Sequence, residues 1–166
     1  MPLIETIEFS KASHLYKYLR ETGVMKDLYL FRNTSLSDIP NGNIGYTLMV
    51  DGDVAGAAIL YDEQDGGWLN EMFEILPKFR GQHLTRPFYE TIKEDLCADL
   101  IHGFATNDET QSLWEHLGQV CIDPECREMI DILDGRTIEE YLIDERPELL
   151  SKWKETTQAK YLEEQS

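Results

Sequence analysis

The sequence predicts an α/β fold with a mixed, mostly antiparallel sheet, and three stretches of the chain lead to that prediction. The first is a pair of apolar runs joined by Asp51-Gly52-Asp53, because Asp-Gly between two such runs is typical of a tight hairpin. The second is an apolar, strand-like run over 68–76, which is followed by a helical pattern over 84–96. The third is the run 99–105, which a right-handed crossover places parallel to the 68–76 strand.

The other elements of the first half follow from periodicity and end signals. Residues 4–9 alternate apolar and polar side chains, as a first strand does. Ser10 is the expected N-cap of a helix that Gly23 closes. Residues 25–37 are expected to hold a shorter helix at a position that the pattern leaves open, and a loop follows over 38–43.

In the second half, a helix is expected within 106–118, and strands over 120–122 and 128–133. Asp108 with Gln111 resembles a capping box at the start of that helix, and Gly118 resembles its C-cap.

The tail 135–166 is expected to form two more helices. Thr137 with Glu140 resembles a capping box, and Pro147 is expected to start the last helix. That helix carries four apolar or aromatic side chains: Leu149, Leu150, Trp153 and Tyr161. Such a stripe packs either on its own domain or on a partner subunit, so the sequence is compatible with a homodimer.

Composition limits the functional classes. A chain of 166 residues suits one domain with a sizeable core, and its net charge of −17 argues against general nucleic-acid binding. The charge favours a basic partner or a cationic amine substrate, or serves only solubility. No apolar run is long enough for a membrane span. Three cysteines without paired spacing indicate reduced thiols and a cytoplasmic location, and no metal site is predicted.

The segment between the 68–76 strand and the next helix is predicted to bind phosphate. A strand that turns sharply into a helix presents backbone N–H groups and the positive end of the helix dipole. Lys78, Arg80 and Arg86 add positive charge there, in a chain that is otherwise strongly acidic.

This segment resembles the signature of the GNAT superfamily of acyl-CoA N-acyltransferases, R/Q-x-x-G-x-G/A after a strand that ends in V-x-P. The stretch 75–77 reads Ile-Leu-Pro, and Arg80-Gly81-Gln82-His83-Leu84-Thr85 follows it. His83 and Thr85 stand where the family has its motif glycines. The stretch 107–119 resembles the family's second region, N-x-x-A-x-x-L-Y-E-x-L-G-F, with Asn107 in register and Trp114 in place of tyrosine.

The resemblance implies a GNAT-like sheet flanked by helices over residues 1–134, with 135–166 as a C-terminal helical extension. It also implies acetyl-CoA as co-substrate. The cofactor-binding set carried over from the family comprises Phe73, Ile75, Leu76, Arg80, Gly81, Gln82, His83, Leu84, Thr85, Asn107 and Trp114. Within it, the strand near Phe73 and Ile75 would pair with the pantetheine amides. Asn107 would bind the pantetheine arm or simply cap a helix.

Two residues are candidates for the base that deprotonates the amine. Glu71 lies where the family often carries a base, and burial among apolar neighbours would raise its pKa. Its alternative is a solvent-facing strand residue. His102 lies five residues before Asn107, the offset of the catalytic glutamate in GNAT enzymes that acetylate ribosomal-protein N-termini. Its alternative is a polar residue satisfied at the sheet edge.

The family's general acid is the tyrosine that Trp114 replaces, and indole cannot supply a proton at neutral pH. Cys121 or Tyr89 could substitute, or the thiolate could leave without an acid. The sequence therefore predicts an N-acetyltransferase that acts on a primary amine of a small molecule or a protein. The alternative is a catalytically inactive GNAT-fold protein that binds a partner.

Overall fold

The computed structural model describes the backbone of residues 2–165 and the side chains of residues 2–157, so the predicted contact of Tyr161 lies outside the described side chains. Contacts divide the chain into two compact units, Met1–Ala98 and Asp99–Ser166. The division predicted at residue 134 separates the part that resembles the GNAT pattern from the tail, and it stays a prediction.

The first unit contains four strands and three α-helices. In chain order they are β1 (Ile4–Phe9), α1 (Ala12–Glu21), α2 (Tyr29–Arg32), β2 (Asn43–Val50), β3 (Asp53–Asp62), β4 (Gly67–Ile75) and α3 (Thr85–Leu96). Short 3-10 turns lie at Met25–Asp27, Leu36–Asp38 and Pro77–Phe79.

The strands of this unit pair antiparallel in the order β1-β2-β3-β4. Val50 pairs with Asp53, so the loop of the predicted hairpin is the two residues Asp51 and Gly52. Both residues have positive φ, 50° and 86°. A two-residue hairpin loop requires such values because only then does the twist of the turn match the right-handed twist of the two strands. The hairpin predicted from Asp-Gly is confirmed.

Strand β4 contains a β-bulge that the alternation of its sequence does not reveal. Ile59 pairs with Met72, whereas the next residue of β3, Leu60, pairs with Asn70. Glu71 is therefore the extra residue, without a partner in the β3–β4 register. A bulge shifts the side chains beyond it to the opposite face of the strand.

A hydrophobic core of the first unit lies between its sheet and the α1–α2 segment. Its buried members are Ala12, Leu15, Tyr16, Leu19, Leu28, Phe31, Ile39, Met49, Val54, Ala57, Ile59, Met72 and Leu76. The amphipathic spacing of Leu15 and Leu19 on α1 directs both side chains into this cluster, and both are fully buried.

The second unit contains β5 (Leu100–Phe104), α4 (Asp108–His116), β6 (Val120–Asp123), β7 (Glu128–Ile132), α5 (Ile138–Glu145) and α6 (Pro147–Gln165). Its strands pair antiparallel in the order β5-β7-β6. Helices α5 and α6 pack on these strands through Tyr141, Leu142 and Leu149, which bury against Ile122 and Ile130.

The predicted helix ends are confirmed at several places and wrong at two. Thr137 caps α5 by accepting the Glu140 N–H at 3.1 Å, and α6 begins at Pro147 as expected. Ser10, however, is not the N-cap of α1, because the helix begins one residue later and Lys11 precedes it without a side-chain cap. Asp108 does not form a capping box either, because it is already the first residue of α4.

Candidate active site

The segment between β4 and α3 is a tight turn. Strand β4 ends at Ile75, a 3-10 turn occupies Pro77–Phe79, and α3 begins at Thr85. Leu84 precedes the helix with right-handed helical backbone and gives it no side-chain cap. The backbone N–H groups at the start of α3 are therefore not covered by a capping side chain, which is the condition that an anion site requires.

The backbone of the turn has positive φ at two residues, Gly81 (79°) and His83 (58°), and Leu84 follows with φ of −87° and ψ of −20°. Where a left-handed residue is followed by a right-handed one, as at His83 and Leu84, successive N–H groups converge in the manner of an anion-binding concavity. A Cβ added at Gly81 would meet nothing within 4 Å, so the outer side of the turn is open. These observations fit a pyrophosphate group.

Pro87 limits the site in a way that sequence reasoning missed. It is the third residue of α3, and proline has no N–H to offer. The first turn of the helix can thus supply donors from Thr85 and Arg86 but not from residue 87. An anion bound at this turn would therefore depend more on the N–H groups of the residues that precede the helix.

The cations predicted at this turn lie there with different partners. The Nε atom of Arg80 donates to the carbonyl oxygen of Ile75 at 3.1 Å, so this side chain braces the turn against the end of β4. The Nζ atom of Lys78 lies 5.1 Å from the ring centre of Phe79, and Lys78 and Arg86 are exposed. Both side chains therefore place positive charge on the solvent side of the turn.

Other residues of the predicted cofactor set serve the core as well. The rings of Phe73 and Phe88 lie 5.1 Å apart, which fixes β4 against α3. Leu76 and Leu84 are buried, and the Leu76 N–H already donates to the Ala55 carbonyl at 2.8 Å. Gln82 is exposed, and its amide donates to the Lys78 carbonyl at 3.3 Å. Their predicted roles toward a cofactor stay predictions.

Glu71 and Glu74 lie three residues apart on β4 in opposite environments. Glu71, the bulge residue, is exposed, so it lacks the burial among apolar neighbours that its predicted role as a base required. Its position is that of the other alternative, a solvent-facing strand residue. Glu74 is only 7% exposed, and its two oxygens accept the N–H groups of Tyr29 and Leu30 at 2.6 and 2.9 Å. Glu74 therefore anchors the start of α2, a role that no sequence signal indicated.

In the second unit, His102 lies on β5 beside a buried carboxylate. Its Nδ1 atom is buried and lies 3.8 Å from Oε2 of Glu128, whose side chain is 7% exposed. The His102 side chain retains 17% exposure. Arg146, which follows α5, donates through Nη1 to both oxygens of Glu128 at 2.8 and 3.1 Å. Sequence reasoning identified His102 but neither Glu128 nor Arg146.

Asn107 is the N-cap of α4. Its Oδ1 atom accepts the Thr110 N–H at 2.8 Å, which is the structural alternative weighed for this residue. The cap uses only the amide oxygen, so the exposed NH2 group can still donate to a ligand. Trp114, at the family's tyrosine position, is 7% exposed.

The two substitute proton donors differ in access. Tyr89 is 1% exposed, so its hydroxyl group has almost no contact with solvent. Cys121 is half-buried, and burial raises the pKa of its thiol, which favours the protonated form.

Within the described part of the chain, no cluster of three or more His, Cys, Asp or Glu side chains is arranged to hold a metal ion. None of the helices described combines the length and the apolar character of a membrane span.

Comparison with known proteins gives matches in structure only. No protein-family model matches the sequence, and no curated protein is similar to it at a significant level. The ribosomal-protein-S18-alanine N-acetyltransferase of Escherichia coli is 17% identical over 78% of this chain and 90% of its own, with a TM-score of 0.54. The chain has the GNAT fold.

Two further solved structures support the GNAT fold. A GNAT family acetyltransferase from Elizabethkingia anophelis, solved with acetyl-CoA bound, gives a TM-score of 0.59 at 13% identity over 78% of this chain and 98% of that one. An acetyltransferase of the GNAT family from Staphylococcus aureus Mu50 gives 0.56 at 13% identity over 79% and 99%. The predicted fold class is confirmed.

Proposed function

We propose that this protein is an acyltransferase that moves an acetyl group from acetyl-CoA to a primary amine. The observation that carries the proposal is the turn between β4 and α3, where a helix start without a side-chain cap follows the left-handed His83 and the right-handed Leu84 on a GNAT fold. The acetyl-CoA bound to the Elizabethkingia anophelis neighbour supports the choice of cofactor.

When bound, acetyl-CoA would supply a thioester whose carbonyl carbon accepts the amine. The backbone of Gly81 to Thr85 would hold the pyrophosphate, with Lys78 and Arg86 adding positive charge. The amide NH2 of Asn107 would donate to the pantetheine arm. These residues bind and orient, and orientation alone accounts for a large part of the rate in a direct transfer.

The amine must lose a proton before or during attack, and His102 is the stronger candidate to accept it. Histidine is the side chain that most often serves as a general base in enzymes. Its ring lies next to a fixed carboxylate, whereas Glu71 is exposed. The leaving thiolate would depart without help from Trp114, because indole does not donate a proton to it at neutral pH.

The acceptor in this proposal is a cationic amine of a small molecule or of a basic protein. The net charge of −17 gives the molecule a negative field, which attracts such a substrate and speeds its encounter. The Escherichia coli neighbour acts, by its name, on the alanine of ribosomal protein S18. A protein N-terminus therefore deserves testing first among protein acceptors.

The second candidate function is a non-catalytic GNAT-fold protein that binds a partner. One observation favours it: His83 takes a left-handed backbone conformation at a position where the family has glycine. Its side chain projects at the turn itself and is exposed. Together with tryptophan in place of the family's tyrosine, this is the pattern expected after loss of activity.

Calorimetric titration with acetyl-CoA separates the two functions. We expect heat of binding and a thermal shift, since a ligand at a hundredfold excess over Kd stabilises the fold by about 2.7 kcal/mol. Lys78→Gln should weaken binding, whereas Lys17→Gln is the matched control because Lys17 is an exposed lysine on α1. No heat and no thermal shift at millimolar acetyl-CoA would reject the proposal and favour the partner-binding function.

A further inference from the structure

The group around His102 is assembled from three elements of the second unit. His102 lies on β5, Glu128 is the first residue of β7, and Arg146 follows α5. The register pairs Phe104 with Glu128, which places the carboxylate two residues along the strand from His102. Side chains two residues apart on neighbouring strands lie on the same face of a sheet, so the imidazole and the carboxylate meet there.

Arg146 fixes the carboxylate of Glu128, so Glu128 can in turn orient a neighbouring side chain. Arg146 Nη1 contacts both of its oxygens, and Arg146 Nε donates to Glu148 at 2.7 Å. The hydrogen bonds that Arg146 donates to Glu148 and Glu128 raise the pKa of Arg146, so the cation that fixes the carboxylate is permanent. Arg146 also neutralises much of the negative charge of Glu128. The main effect of Glu128 on His102 is therefore to orient the imidazole ring, not to attract a positive charge on it.

The geometry points to Glu128 as a positioning residue: held by Arg146, it keeps the ring proton of His102 on Nδ1 and leaves the lone pair on Nε2. The distance of 3.8 Å between Nδ1 and Oε2 is longer than a hydrogen bond. A ring movement of about 1 Å closes it, and catalytic hydrogen bonds commonly tighten only when substrate is bound. The hydrogen bond of one ring nitrogen sets the protonation of the other.

This inference rests on the proposed function for its consequence, because Nε2 then accepts the proton of the attacking amine. The N–H bond of the ammonium breaks as the Nε2–H bond forms, and the amine keeps the electron pair that attacks the thioester. The resulting imidazolium has one N–H directed at Glu128. The C-terminal helices thereby contribute to the candidate base through Arg146, although their sequence lies outside the family pattern.

The tautomer of His102 can be read directly by nitrogen NMR of the intact protein labelled at histidine. The four histidines are His14, His83, His102 and His116, and His102→Gln assigns the signal. We expect the Nδ1–H form in the wild type, a shift toward the Nε2–H form in Glu128→Met, and partial recovery in Glu128→Gln, which keeps an acceptor oxygen. Glu139→Met is the matched control, because Glu139 pairs with exposed Lys154 at 3.3 Å.

Activity adds a second measurement. Glu128→Met should lower kcat about 10- to 100-fold while the KM for acetyl-CoA stays nearly unchanged, as expected for loss of a positioning residue. If Glu128→Met does not fold, Arg146→Lys loosens the carboxylate while keeping the charge, and the tautomer signal should move in the same direction.

The two proposals fail separately. An Nε2–H form in the wild type, or a signal unchanged in both Glu128→Met and Arg146→Lys, overturns the positioning role whatever the activity. A wild-type protein that transfers no acetyl group overturns the proposed function, and the NMR signal still decides whether Glu128 sets the tautomer.

Discussion

The carboxylate of Glu74 accepts the backbone N–H of Tyr29 at 2.6 Å, so a residue of β4 serves as the cap of α2, which lies 45 positions earlier in the sequence. Helix α2 has only four residues and no cap of its own. The second oxygen of Glu74 accepts the next N–H, that of Leu30. A helix this short depends on such contacts because its own hydrogen bonds cannot offset the entropy of ordering it.

Glu74→Ala should therefore lower the free energy of unfolding by about 3–6 kcal/mol, since it removes two hydrogen bonds to a charged group that contribute about 1.5–3 kcal/mol each. Glu71→Ala is the control on the same strand and should change it by about 0.5 kcal/mol or less, because Glu71 is exposed. Urea unfolding of both variants measures the difference. Equal losses in the two variants would contradict the anchoring role of Glu74.

Glu8 is expected to make stability depend on pH. Its hydrogen bond with Asp95, together with burial and repulsion from that carboxylate, raises the pKa of Glu8 above its ordinary value of 4.5. The folded state therefore favours protonated Glu8. The stability that this proton contributes is fully present below pH 4.5 and is lost as the pH rises through the folded pKa.

Glu8→Gln, which imitates the protonated side chain, should raise the melting temperature at pH 7 and leave it nearly unchanged at about pH 4. Glu5→Gln is the matched control, because it removes another exposed carboxylate from the same strand. Calorimetric melting at both pH values measures the effect. A gain that is the same at both would show that charge on Glu8 is not its source.

His83 is expected to act in two separate ways: its backbone conformation affects the stability of the fold, and its side chain affects ligand binding. His83→Gly should raise the free energy of unfolding by about 0.5–1 kcal/mol, because the left-handed conformation at φ of 58° strains any residue with a Cβ. His83→Ala keeps that strain and should give no gain. Denaturant unfolding of the two variants separates backbone from side chain.

The same pair of variants tests whether His83 crowds or contacts coenzyme A. If the side chain crowds the anion site, both variants bind more tightly. If its side chain instead contacts a phosphate, both variants bind more weakly. Titration calorimetry decides, and an affinity unchanged in both variants would reject either role.

The proton acceptor can be identified by single variants of the two candidates. His102→Ala should lower kcat/KM about 10²- to 10⁴-fold, the usual contribution of a general base, with little change in acetyl-CoA affinity. Glu71→Gln, at an exposed position, should have the smaller effect. Steady-state kinetics with a primary amine measures both, and near-wild-type rates in both would indicate an amine that arrives already deprotonated.

Much of the fold could be predicted because strands and turns leave local signals. Strand β1 was predicted over 4–9 and is Ile4–Phe9, and Gly23 and Gly118 end their helices with positive φ as expected. Helix α2 was not located because four residues are too short for a periodic pattern. The bulge at Glu71 was missed because alternation does not mark one inserted residue.

The candidate site was less predictable than the fold. The turn residues were found because cations and glycine lie close together in the sequence. Glu128 and Arg146 were not found, because 18 positions separate them and only the packing of α5 brings them together. The left-handed backbone at His83 was equally hidden, since histidine gives no local signal for a positive φ.

The packing of α5 and α6 on β5, β6 and β7 sets a lower limit on how short the chain can be made. Cutting it after residue 134 would remove Leu142 and Leu149, which cover Ile122 and Ile130, and it would remove the arginine that neutralises Glu128. The remainder would expose an apolar sheet face beside an uncompensated acid. Recombinant fragments trimmed to the region of family resemblance are therefore expected to aggregate, whereas in fragments that keep both helices that face stays covered.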